Sequence, residues 1–123
     1  MTALLKLLPI AGIALFCLFM GTGQLLFKLA AVKAKGAPTL YEMLRSIALS
    51  PWFWSAGVLY AVASLLWVVI LTRVPLSIAY PASALTIVLV PIAGWMFFGE
   101  HLDIRFAIGM AAMLLGIWLI ASR

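Results

Sequence analysis

The sequence predicts an all-α membrane protein of one domain, with four transmembrane helices. Three observations carry this. Over 123 residues, apolar types make up 67% and charged types 9%. A soluble domain of this size cannot cover itself with so few polar side chains. The mean hydropathy is +1.27. The charges also stand apart: between Lys6 and Lys28 lie 21 uncharged residues, between Arg45 and Arg73 27, between Arg73 and Glu100 26, and between Arg105 and Arg123 17. A helix needs about 20 residues, range about 17–25, to cross the hydrocarbon core. A soluble enzyme, a disordered chain and a typical nucleic-acid-binding domain are excluded. The net charge of +5 comes from scattered residues that suit membrane topology and lipid headgroups rather than nucleic acid.

The spans are expected near 8–30, 52–72, 77–98 and 104–121. The first is too long for a signal-peptide core of about 7–15 residues and lacks a small-residue cleavage site, so it reads as a retained helix. The single cysteine, Cys17, allows no internal disulfide and reads as a small core or lipid-facing residue. The linker at 32–38 is basic and holds Gly36 and Pro38. Thr39 followed by Glu42 has the form of a capping box. Leu40, Met43, Leu44 and Ile47 then recur at helical spacing. A short interfacial helix over 39–49 follows. Pro51 ends it, and Trp52, Phe53 and Trp54 give the second span an aromatic belt. The second and third spans join tightly through 72–76, the third and fourth through 99–103.

Basic residues number three on the side of the termini (Lys6, Arg73, Arg123) and five on the other (Lys28, Lys33, Lys35, Arg45, Arg105). The positive-inside rule favours the first loop in the cytoplasm.

Polar side chains inside a span cost free energy unless they meet partners or a cavity, so they mark candidate sites. Gln24 and Lys28 lie four apart on one face of the first span. With no carboxylate expected beside it, Lys28 would carry a burial cost of about 2.5–3.5 kcal/mol, relieved by snorkelling or by an anion. An amide and an ammonium on one face suit a phosphate-accepting groove. Ser77, Tyr80 and Ser83 share a face of the third span, where Pro81 and Pro91 free carbonyls about one turn earlier. Tyr60, Ser64 and Trp67 share a face of the second, with Trp67 assigned to the interface. Gly109, Ala112 and Gly116 give the fourth a close-packing face for another helix.

Candidate substrate-binding residues are therefore Gln24, Lys28, Tyr60, Tyr80 and Ser83, and candidate oligomer contacts Gly109, Ala112 and Gly116. The three acids, Glu42, Glu100 and Asp103, fall near the surface, and no metal cluster or catalytic set stands out. No enzyme activity and no cofactor are expected.

Gly23-Gln24-Leu25-Leu26-Phe27-Lys28 resembles the G-Q-x-x-x-K signature of small proteins in the drug/metabolite transporter superfamily. The Val74–Pro81 stretch and the Phe98-Gly99-Glu100 loop, followed by Gly109, resemble later segments of the same proteins in the same order. The resemblance implies a small-multidrug-resistance-like four-helix bundle. The multidrug exporters of that group rely on a glutamate that aligns with Met20 and a tryptophan that aligns with Ser83. Both departures point to the other branch, which resembles flippase subunits for aminoarabinose-phosphoundecaprenol. That resemblance implies a multi-pass protein of the bacterial inner membrane, a lipid-linked sugar as substrate, and membrane lipids and a copy or paralogue as partners, with no nucleic acid. A small-cation exporter and a non-transporting assembly subunit of an envelope glycosylation complex are the alternatives.

Overall fold

The structure, a computed structural model, describes residues 2–123, with side-chain surroundings for all of these but 4 and 5. It is all helix: α1 (Thr2–Ala34), α2 (Leu40–Ala48), α3 (Pro51–Leu71), α4 (Leu76–Ser83), α5 (Leu85–Phe98) and α6 (Ile104–Ala121). Four helical stretches, with α4 and α5 taken as one, are long and apolar enough to cross a membrane. The first runs beyond the expected 8–30 at both ends, continuing through Pro9.

The helices touch through small residues. Ala56, Ala63 and Ile70 are the buried positions of α3, seven apart, and they face α1. On α1 the buried positions include Cys17, Ala30 and Ala34. Small residues let backbones approach where lipid supplies no hydrophobic drive between helices. Large apolar side chains point outward instead, among them Leu65, Trp95 and Phe97. α5 also packs on α1, whereas α6 packs on α4 and buries none of its residues.

Two helix starts are set by local chemistry. Thr39 Oγ1 accepts a hydrogen bond from the Glu42 N–H at 3.2 Å and caps α2. Asp103 Oδ1 accepts from the Phe106 N–H at 2.9 Å and caps α6, a role the sequence reading had not given it. The Trp54 Nε1–H donates to the Ala48 carbonyl at 2.7 Å and ties α2 to α3.

The third span departs from expectation. It is two helices, broken at Ala84, three residues after Pro81 and seven before Pro91. The Ala84 N–H bonds the Pro81 carbonyl, and the Ile87 N–H bonds the Ala84 carbonyl. These tightened turns release the carbonyls of Tyr80 and Ser83. The Ser83 hydroxyl donates to the first at 2.7 Å, and the Cys17 thiol to the second at 3.7 Å. Cys17 is therefore a core residue with a polar duty at the break.

Candidate substrate-binding site

Lys28, one residue past the G-Q-x-x-x stretch of α1, is not without a carboxylate as the sequence suggested. Its Nζ lies 3.1 Å from Oε1 of Glu100, with both side chains nearly half exposed, at 46% and 45%. The cause is the turn after α5. Gly99 adopts a left-handed conformation, φ +65, and caps that helix. The Glu100 N–H then bonds back to the Gly94 carbonyl at 3.4 Å. Gly94 has no side chain to obstruct the returning carboxylate, which lies where a Cβ would be. An acid placed in a loop by sequence is thereby delivered to a lysine of the first span. The pair also sets the end of α1 and the α5–α6 loop at the same end of the bundle.

Gln24 stands one turn before Lys28. Its Nε2 donates to the Tyr60 hydroxyl at 2.5 Å. Atoms along one edge of the Tyr60 ring crowd the place where a Cβ on Gly23 would stand, and the Phe27 and Tyr60 rings meet at a centroid distance of 5.2 Å. Gly23 of the G-Q-x-x-x-K stretch therefore serves the packing of α3, and Gln24 the polarity of the groove. Gln24, Lys28, Glu100 and His101 line one cavity of about 420 Å³, walled by Pro91, Phe98 and Phe106 among others.

Tyr80 and Ser83 are not part of that cavity. They line another, of about 330 Å³, with Phe16, Met20, Trp67 and Thr86. Phe16 and Trp67 stack there at a centroid distance of 4.6 Å. Trp67, assigned to the interface from sequence, belongs to this cavity, and Met20 presents a thioether to it. Most of the Tyr80 side chain is exposed, at 69%. The candidate residues thus fall into two places: Gln24 and Lys28 line one cavity, with Tyr60 joined to it through Gln24, and Tyr80 and Ser83 line the other. Gly109 and Gly116 on α6 have open space where a Cβ would stand, and Ala112 is exposed beside them.

Glu100 and Gly94 are the residues that sequence reasoning missed. The signal was present in Phe98-Gly99-Glu100, since a glycine after an apolar helix marks a left-handed cap that reverses the chain.

Helical spans joined by small residues, with polar groups and cavities between them, define a small multi-pass membrane protein of the transporter type. The chain is 32% identical over 110 residues to the probable 4-amino-4-deoxy-L-arabinose-phosphoundecaprenol flippase subunit ArnE of Aeromonas salmonicida, covering 89% of this chain and 94% of that one. It is 33% identical over 103 residues to the subunit so named in Pseudomonas syringae, covering 83% and 90%. For that of Pectobacterium atrosepticum the identity is 32% over 111 residues, covering 90% and 96%. The chain belongs to this family, and with its four apolar spans it is a multi-pass protein of the bacterial inner membrane. No family model matches it, and no solved structure does.

Proposed function

We propose that the protein is a flippase subunit that moves a polyprenyl-phosphate-linked amino sugar across the inner membrane. The observation that carries this is the cavity lined by Lys28 and Gln24, with Gln24 held by the Tyr60 hydroxyl. An ammonium meets the phosphate as a point charge, and the amide meets sugar hydroxyls. Glu100 and His101 also line it, and the rest of the wall is apolar, as a lipid tail requires. Relatives named for a phosphoundecaprenol-linked amino sugar support the same chemistry.

A cation exporter is less well supported. The cavity with Trp67 and Tyr80 has an aromatic lining, but Met20 stands in it and, among the described residues, no carboxylate lines it. An organic cation would find stacking surfaces there without a counter-charge. Tyr80 and Ser83 fit the sugar-facing role better, as hydroxyls at the helix break. The working unit is a pair, with a copy or a paralogue seated on Gly109, Ala112 and Gly116. The relatives' designation as subunits supports this.

The test is transport in inner-membrane vesicles from cells with and without the chain, loaded with a labelled amino-sugar phosphoundecaprenol. Accessibility of the label on the opposite leaflet should rise only where the chain is present. Equal rates in both preparations would overturn the reading.

A further inference from the structure

Lys28 stands in the wall between two cavities. One holds Glu100. The other, of about 330 Å³, lies under the amphipathic helix α2 and is lined by Lys28 and Lys35 with Val32, Met43 and Ile47. Among the described residues no carboxylate lines this second cleft. Lys35 stands one residue past α1 and seven after Lys28, and its N–H still bonds the Ala31 carbonyl at 3.0 Å, so the two lysines fall on one side of the helix. Were Lys28 to swing from Glu100 into this cleft, its ammonium would meet that of Lys35, and the two would repel each other without an anion between them. The charges suit a phosphate ester, and the aliphatic walls suit the first methylenes of its lipid tail. Lys33, by contrast, turns away and lies over the Trp52 ring, 5.3 Å from its centroid.

We propose that the cleft between α1 and α2 is a seat for a lipid phosphate ester, held by Lys28 and Lys35, and that Glu100 competes with this phosphate for Lys28. The proposal rests on the flippase reading and adds the place where the phosphate is first held. It also makes Glu100 a positioning residue. With the seat empty, Glu100 neutralises Lys28. With the seat filled, Lys28 turns to the phosphate and the tie between α1 and the α5–α6 loop opens. Lipid binding is thereby coupled to release of the loop.

The probe is undecaprenyl phosphate, titrated into nanodiscs of phosphatidylcholine that hold the full chain, with bound lipid counted by native mass spectrometry. Affinity should fall about tenfold in Lys35→Gln, through loss of one charge-assisted contact. It should rise in Glu100→Gln, which removes the competitor, and stay unchanged in Lys33→Gln. Phosphatidylglycerol added in excess separates the two sources of phosphate. A polyprenyl carrier keeps its seat under that competition, and a bulk headgroup site loses it; either result upholds the seat. Binding that responds to Lys28→Gln but to neither Lys35→Gln nor Glu100→Gln overturns the cleft and leaves the flippase reading standing. Binding that responds to none of the three overturns both.

Discussion

Gly94 lies directly beneath the carboxylate of Glu100: a side-chain carbon on Gly94 would meet Oε2 at 2.6 Å and Cδ at 3.2 Å. The obstructed group is the far end of a flexible side chain, so the backbone need not move. Gly94→Ala should therefore keep the fold, with helix propensity favouring alanine by about 0.5–1 kcal/mol. It should nonetheless push Glu100 off Lys28. Carbodiimide coupling of Lys28 to Glu100, read by mass spectrometry, checks this. Undiminished coupling in Gly94→Ala would show that the carboxylate reaches Lys28 by another path.

Exchanging the two charges separates structure from transport. In the double variant Lys28→Glu, Glu100→Lys the pair can re-form with its polarity reversed. Exposed pairs contribute about 0–1 kcal/mol, so thermal stability in detergent should stay within that range of the parent. Transport should fall about tenfold or more, because a carboxylate on α1 repels the phosphate. A double variant that transports at the parental rate would reduce Lys28 to a structural tie.

The second glycine contact is less forgiving. A Cβ on Gly23 would lie 2.8 Å from Tyr60 Cδ2, and closer still to Cε2. The ring is held by Phe27 at one side and by Gln24 at its hydroxyl. Gly23→Ala should destabilise by about 1–3 kcal/mol through overpacking. Tyr60→Phe loses only an interhelical hydrogen bond, about 0.6 kcal/mol and at most about 1.7. Unfolding in detergent should rank the two in that order.

The small-residue face of α6 supplies a test of pairing. Gly116→Leu should weaken association, because a bulky side chain holds a partner helix away. The monomer should be untouched, since nothing lies within 4 Å of a Cβ at Gly116. Crosslinking in native membranes reads the dimer fraction. An unchanged fraction would move the interface to another helix.

The spans and the α2 cap were legible because each depends on neighbours in the chain. Hydropathy over some twenty residues needs no tertiary information, and Thr39 reaches Glu42 within one turn. Lys28 and Glu100 were each visible, but their meeting was not. It depends on Gly99 reversing the chain and on Gly94 leaving room. The break at Ala84 was hidden for a different reason. Pro81 and Pro91 mark a weakened helix, yet where it parts is decided by the carbonyls that find other donors, one of them Cys17 on a different helix. Likewise the separation of Tyr80 and Ser83 from Gln24 required the packing of α4 and α5 around α1. Helical spacing shows which residues share a face and not which faces share a cavity.

The interruption at Ala84 has a mechanical meaning. An unbroken helix acts as a stiff rod, so a tilt at one end is felt at the other. Here the half that carries α6 and the half that packs more extensively along α1 are joined by a single turn. The α4–α6 arm is jointed rather than welded to α5. Because α4 also touches α1 and α3, a tilt of that arm would be shared between the turn at Ala84 and those contacts.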